Sequence, residues 1–403
     1  MAHAIDPVVA ASTWGQQTAS EQAAGPVERG RDGRRVVVVS HGPPLTGGIV
    51  TVAVDLVEDP ALNAEFEVVF QNTTQAEDKR GKLALENIWR ALTHAWDTFR
   101  LARRGGVVHT HSVQDPTLVA WRQVLIALAA RLRGSRVLLH NHAYRPYMAG
   151  PGEFEVGAAH RVAFRLLDRL ADANVLLSAA GVPNLRPLMP HIALPVVANS
   201  VVVADIGQSS ARHDPPVILF VGEMLERKGV LVLLDALDLL RERYDGPWEI
   251  RIVGNDTVGL DPDKDRVIEA VRARGLGGAM TGPIPREEVY RHLSESDVFV
   301  FPTFVEGQPF SVIESLAAGV PIVGSDIPTV ADMVTDGVHG RLVPPRDADA
   351  LAEALAEVLS DPERRAEMGA ECRRLALARF DRAVFREQIA ELYRTTGRGG
   401  SPT

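Results

Sequence analysis

From residue 35 onward, short and nearly continuous apolar runs alternate with longer stretches whose apolar positions recur at helical spacing. Residues 35–40, RVVVVS, read as a strand apolar on both faces, as a parallel strand covered by helices should be. The spacing predicts a helix over 49–57, a strand over 66–70 and a helix over 83–104, where Leu85, Ile88, Leu92, Ala95 and Phe99 recur at helical intervals. Strands over 107–111 and 137–142 flank a helix over 117–133. A helix over 162–171 and a short strand over 174–177 follow, and 196–200 closes this first block. A polar stretch over 205–216, ending in His213-Asp214-Pro215-Pro216, reads as a linker. The alternation resumes over 217–378, and a further helix covers 383–393. Strands alternating with helices predict parallel sheets covered by helices on both faces. Domains are expected over 34–204 and 217–380, with a C-terminal helix over 381–396 and disordered tails over 1–33 and 397–403.

Composition narrows this picture. A chain of 403 residues exceeds one ordinary core, so two domains are expected. A net charge of −9 gives no global attraction to nucleic acid. The single Cys372 excludes an intramolecular disulfide and fits a reducing compartment and a packing role. No 18-residue apolar run is present, and the first residues lack a signal pattern, so a cytoplasmic protein is expected. Lysine occurs only at Lys79, Lys82, Lys228 and Lys264, which singles out Lys228 beside Arg227 at a glycine turn. Its ammonium suits a diphosphate as a point charge.

The densest candidate chemistry lies in 301–326, FPTFVEGQPFSVIESLAAGVPIVGSD. An apolar strand ends at Phe301, and a loop carries Glu306, Gly307, Gln308 and Pro309. A helix runs from Phe310 and Ser311 to Ala318, stops at Gly319, and gives way to a second strand. A helix start after a strand offers free backbone N–H groups and a positive dipole end, suited to phosphate. Glu314, one turn into the helix, can accept hydrogen bonds from paired ribose hydroxyls. Glu306, eight residues earlier, can hold another polyol.

This Glu-x7-Glu segment resembles the signature of the family four retaining glycosyltransferases, which have the GT-B fold. The likeness extends to the strand 217–222 followed by Lys228-Gly229, to 251–255, to the loop 281–285 with Ile284 near the base, and to the closing strand within 336–345. The resemblance implies two Rossmann-like, doubly wound domains facing each other across a cleft, with the last helix crossing back to the first domain. It implies a retaining hexosyltransferase that moves a sugar from a nucleotide-diphospho-sugar, UDP-linked, to an unidentified hydroxyl acceptor. No further cofactor and no metal are expected. On this resemblance Glu314 binds ribose, and Glu306 with the Gln308–Phe310 turn and Ser311 holds sugar and phosphate. Lys228 neutralises the departing diphosphate, Gly48 of the Gly47-Gly48 loop approaches the donor, and His142 faces the donor sugar. Where the family carries an arginine after the strand glycine, this chain has Glu223. Arg227 is the residue that could supply that charge. A GT-B sugar-nucleotide 2-epimerase and a catalytically weak partner subunit are the alternatives.

Three other features carry expectations. His109, His111, His140 and His142 sit at strand ends without a carboxylate or cysteine at ligand spacing, so no metal site is expected. Asp261-Pro262-Asp263 reads as a solvated helix start. Trp89 and Trp96, with Arg90, Arg100, Arg103 and Arg104, give the helix 83–104 an aromatic face and a basic end. Packing of that face on the first sheet is the favoured reading, and a weak contact with a membrane surface is the other.

Overall fold

The computed structural model describes residues 33–43, 45, 47–74, 85–113, 117–142, 157–209, 212–254 and 262–396. The two tails expected to be disordered fall outside these residues (Gly33 apart), as do Asp261 and Asn255. The N-terminal domain runs β1 (Arg35–Ser40), α1 (Gly48–Glu58), α2 (Pro60–Glu65), β2 (Glu67–Asn72), α3 (Leu85–Leu101), β3 (Val107–Ser112), α4 (Thr117–Leu132), β4 (Arg136–Asn141), α5 (Ala158–Leu170), β5 (Ala173–Leu176) and α6 (Val182–Leu185). The C-terminal domain runs β6 (Val217–Val221), α7 (Val230–Arg243), β7 (Glu249–Val253), α8 (Pro262–Ala273), α9 (Arg286–Ser294), β8 (Val298–Phe301), α10 (Phe310–Ala318), β9 (Ile322–Ser325), α11 (Pro328–Ala331), β10 (Gly340–Val343), α12 (Ala348–Ser360) and α13 (Pro362–Leu375). α14 (Arg382–Thr395) follows.

Among the described residues each domain holds one five-stranded parallel sheet, in the orders β2-β1-β3-β4-β5 and β7-β6-β8-β9-β10. Relative to the first strand of each domain the two orders are the same. In both, the chain moves to one side of the first strand and returns to the other, so β1/β3 and β6/β8 are topological switch points. Loops leaving the carboxyl ends of such strands splay apart and open a crevice. The strands are apolar on both faces because helices cover both: β1 packs Val37 and Val39 on one side, Val36 and Val38 on the other. β6 divides Leu219 from Ile218 and Phe220 in the same way.

α14 lies on the N-terminal domain. Phe385, Ile389, Ala390 and Tyr393 pack with Val36, Val38 and Leu138, and Arg394 pairs with Glu65 at 2.6 Å. The chain crosses between the domains twice, and the crossings meet: Val201 N–H donates to the Phe380 carbonyl (3.0 Å), and Arg382 N–H donates to that of Val201 (2.8 Å). Much of the polar stretch after 205 is tied to the C-terminal domain. Ser209 N–H donates to the Ala318 carbonyl (2.8 Å), and fully buried Asp297 accepts from the backbone N–H groups of His213 (3.0 Å) and Val217 (2.8 Å). Buried Cys372 packs in that domain's core, and burial pushes its thiol up.

α3 forms where its periodicity predicts, but its apolar stripe points the other way. It buries Asn87, Ala91 and Thr98, whereas Ile88, Leu92, Trp89 and Trp96 are exposed, the two tryptophans by 68% and 60%. Thr98 donates its hydroxyl proton to Gln71 Oε1 (2.8 Å), so polar groups with matched partners, rather than the tryptophans, face β2. The favoured packing of the aromatic face on the first sheet is therefore corrected.

Candidate functional site in the interdomain cleft

The loops at the two switch points bring Lys228 to Glu306 and Gly48 to Phe310, whereas His142 pairs with His111. Glu226–Lys228 form a single 3-10 turn, closed by Gly229 at φ 73°. A Cβ on Gly229 would stand 1.9 Å from the Pro302 carbonyl oxygen, so only glycine lets this turn lie against the end of β8. Phe304 N–H then donates to the Arg227 carbonyl (2.9 Å), which clamps the β6 and β8 loops together. This clamp places the Lys228 ammonium in an ion pair with Glu306 Oε1, both side chains being largely buried. The Thr303 hydroxyl lies 3.3 Å from the same carboxylate oxygen.

Glu223, the departure from the family pattern, pairs with Arg227 at 2.5 Å on the exposed surface. The two charges offset each other locally, and such exposed pairs contribute little to stability.

α10 begins at Phe310 behind Pro309, and α1 begins at Gly48 behind Gly47. Neither N-terminus has a side-chain cap hydrogen bond. They converge: a Cβ on Gly48 would stand 2.9 Å from Phe310 Cε2, so glycine permits the approach. Phe310 packs against the cores of both domains, and half-buried Ile284 packs on the C-terminal one. Ser311 is the second residue of α10 and half-buried. Two positive helix ends thus meet at one point between the sheets.

Gln308 is committed differently. Its Oε1 accepts from Asn199 N–H (2.6 Å), its Nε2 donates to the Leu177 carbonyl (2.8 Å), and its own carbonyl accepts from Asn199 Nδ2 (3.2 Å). Its carboxamide is a bridge between the domains.

Glu314 is 6% exposed, and Oε1 accepts from Arg286 Nε (3.0 Å) and Nη2 (2.9 Å). Burial pushes the Glu314 carboxyl above its usual value, and Arg286 opposes the shift. The guanidinium lies over Phe310 (5.6 Å) and Tyr290 (5.5 Å). Sequence reasoning passed over Arg286. The available signal was a cation at the first position of α9, where the helix dipole disfavours one.

His142 follows β4 and is held by its own N–H donating to the Ser112 carbonyl (3.0 Å). Its Nε2 lies 2.8 Å from His111 Nδ1, and burial lowers its pKa to about 3, so it is a neutral imidazole. Asp263, in the first turn of α8, accepts from Glu226 N–H (3.1 Å) and pairs with Arg266 (3.1 Å).

Residues 204–375 match the family model described as Glycosyl transferases group 1. A phosphatidyl-myo-inositol mannosyltransferase of Mycobacterium leprae is 34% identical over 190 residues, which are 46% of this chain and 48% of that protein. The chain spans about half the length of the first curated relatives it matches. Among solved structures, sucrose-phosphate synthase from Thermosynechococcus elongatus superposes with a TM-score of 0.71 at 20% identity, covering 91% of this chain and all of that one. Anabaena HepE in complex with UDP-glucose superposes at 0.66 and 16% identity, covering 89% and 99%. The two-domain architecture is therefore the GT-B fold, and the C-terminal domain carries the group 1 glycosyltransferase match.

Proposed function

We propose that this protein is a retaining glycosyltransferase that moves a sugar from a nucleotide-diphospho-sugar, UDP-linked, to a hydroxyl acceptor. The observations that support the reading are the Lys228–Glu306 ion pair in the loop that leads into α10, and the meeting of the uncapped starts of α1 and α10 at Gly48 and Phe310, where Arg286 links Phe310 to buried Glu314. Such a cleft suits a diphosphate between a ribose and a hexose. Glu314 receives the ribose hydroxyls and is oriented by Arg286. The α10 and α1 amides and Lys228 take the diphosphate charge, which makes a Mg²⁺ or Mn²⁺ ion dispensable. Lys228 has three donors, so it can hold Glu306 and a phosphate oxygen together. Neutral His142 suits a hydrogen bond to a sugar hydroxyl.

In the transfer, the acceptor oxygen bonds to the anomeric carbon on the face from which the diphosphate leaves. The electrons of the breaking C–O bond go to the diphosphate, and the acceptor proton passes to the departing phosphate oxygen. Glu306 lies next to Lys228 and orients the sugar at that centre. The partner-subunit alternative drew its support from Glu223, and the pairing of Glu223 with Arg227 weakens that support.

The exposed Trp89 and Trp96, with Arg100 and Arg103 at the helix end, support a soluble body whose acceptor is met at a membrane surface. No helix of the described residues is long and apolar enough to cross a membrane. The direct test is a thermal-shift and turnover screen of UDP-, GDP- and TDP-sugars with the full chain, followed by assignment of the product's anomeric configuration. A stabilising donor and a retained anomeric configuration are expected. Stabilisation by none of them, or an inverted product, overturns the reading.

A further inference from the structure

β3 and β4 are parallel neighbours in the register His111↔His140. Side chains alternate along a strand, so His109, His111 and His140 share one face, and His142 extends the row beyond β4. That face also carries Leu138 and is covered by Tyr393 of α14. The rings are nested, with centroids 4.3 Å apart for His109–His111, 4.9 Å for His111–His140 and 4.4 Å for His140–His142. His109 and His140 are 0% exposed and His111 is 2% exposed.

Their nitrogens are divided in an informative way. His109 Nδ1 lies 2.8 Å from the Tyr393 hydroxyl, and His111 Nδ1 lies 2.8 Å from His142 Nε2. Among the described residues, His109 Nε2, His111 Nε2 and both nitrogens of His140 have no hydrogen-bond partner. Leaving a buried polar atom unmatched forfeits its hydration without a compensating bond. Four such atoms at one place mean that the packing serves something other than the apolar core. One ligating nitrogen from each of His109, His111 and His140 falls within 4.8 Å of the others. A tetrahedral ion with Zn–N bonds of about 2.0–2.1 Å sets such nitrogens about 3.3 Å apart, a contraction that small ring rotations supply.

We propose that His109, His111 and His140 form a metal site between the N-terminal sheet and α14, with Zn²⁺ as its ion. The donor set selects the ion: three imidazoles suit a late transition metal, whereas Mg²⁺ and Ca²⁺ require oxygen ligands. The unpartnered atoms select the ligating nitrogens. In the tautomer where Nδ1 of His109 and His111 carries the proton, each Nδ1–H donates to an outer partner, Tyr393 Oη or His142 Nε2. Each Nε2 then presents a lone pair to the ion. Metal-bound histidines are oriented by outer partners of this kind. Three neutral ligands leave the ion's charge unmatched, so the fourth position takes an anion such as hydroxide. The ion joins β3 to β4, holds α14 through Tyr393, and fixes His142 through His111. Its role is structural and does not depend on the glycosyl-transfer reading.

The test uses the full chain with any affinity tag removed, grown with added zinc and passed through a mild chelator. Elemental analysis should give one zinc per chain, and Co²⁺ loading should give the intense visible bands of a tetrahedral site. His140→Gln should weaken Zn²⁺ binding at least tenfold in a chelator-competition titration. Tyr393→Phe should weaken it about 10–100-fold, since it removes an outer partner. His191→Gln, at an exposed position, should change nothing. A natively folded chain that neither retains nor takes up zinc overturns the proposal. So does zinc retained with equal affinity by His140→Gln. Should His140→Gln fail to fold, the stoichiometry and Co²⁺ spectrum of the unaltered chain decide the matter.

Discussion

Removing one or the other partner of the Arg286–Glu314 pair should have unequal consequences for stability, and the asymmetry follows from burial. The Glu314 side chain is 8% exposed and that of Arg286 is 39% exposed. Burial raises the Glu314 pKa above 4.5 in spite of Arg286, so the ionised carboxylate loses more by desolvation than Arg286 returns. Arg286→Ala leaves that carboxylate buried and unmatched. Breaking a buried pair from one side costs about 3–5 kcal/mol, and the partial exposure of Arg286 lowers this to about 2–3 kcal/mol. At roughly 2–4 °C per kcal/mol, Tm should fall by about 5–10 °C at pH 7.5. Glu314→Gln leaves Arg286 solvated and stacked on Phe310 and Tyr290. Its effect on stability should be within about 1 kcal/mol of neutral, while the donor KM rises about 10–100-fold for loss of a charged hydrogen-bond acceptor.

The pH dependence fixes the sign of the argument. A carboxyl whose folded pKa is raised penalises the fold above that pKa, and the penalty vanishes below the unfolded value near 4.5. Removing Arg286 raises the folded pKa further, so the Arg286→Ala deficit should shrink as pH falls from 7.5 towards 5. The double variant Arg286→Ala/Glu314→Gln should recover most of the loss. Differential scanning calorimetry at several pH values measures all three. A deficit that is equal at pH 5 and pH 7.5, or a double variant no more stable than Arg286→Ala, would refute the reasoning.

Other sites give shorter tests. Glu306→Gln removes the anionic partner of Lys228, so kcat should fall at least tenfold while nucleoside diphosphate binding by calorimetry tightens; weaker binding would contradict the pairing seen here. Gly229→Ala meets the Pro302 carbonyl and an unfavourable φ, and should cost about 2–4 kcal/mol by chemical denaturation; an unchanged midpoint would contradict the clamp between the β6 and β8 loops. Trp89→Ser/Trp96→Ser should reduce co-sedimentation with anionic vesicles severalfold without lowering Tm; undiminished co-sedimentation would remove the membrane reading.

The sheets were legible because parallel strands buried on both faces have little alternative. The run 35–40, between Gly33 and Gly42, and the strand Val298–Phe301, ahead of Pro302, could be placed from apolarity and flanking turn residues. The site was legible where chemistry follows chain order: strand, loop, helix start, as with Lys228, Glu306 and Glu314. It was illegible where two distant segments meet. The Gln308 carboxamide was grouped with the donor because of its place in the loop, yet its partners are Asn199 and Leu177, more than a hundred residues away. Arg286 was passed over for the same reason, since its meaning comes from Glu314 on another helix. The face of α3 failed differently. Helical periodicity locates an apolar stripe without saying whether a sheet lies beneath it, and polar Gln71 supplies the matched partner for Thr98 there.

The interdomain contacts also bear on how the cleft is set. Val201 and Asp381 stand where the two crossings touch, and Val203 N–H donates to Asp381 Oδ2 (3.2 Å). Rotation about this point would change the separation of the two helix starts. Beside that pivot, at Asn199, and also at Leu177, Gln308 joins the same domains through hydrogen bonds, and Phe310 does so through ring packing. Both lie within the loop-to-helix turn that carries Glu306 at one end and Glu314 at the other. A ligand that seats on this turn therefore acts on the segment that spans the cleft. It shifts the domain angle by as much as it prefers one spacing of α1 and α10 over another.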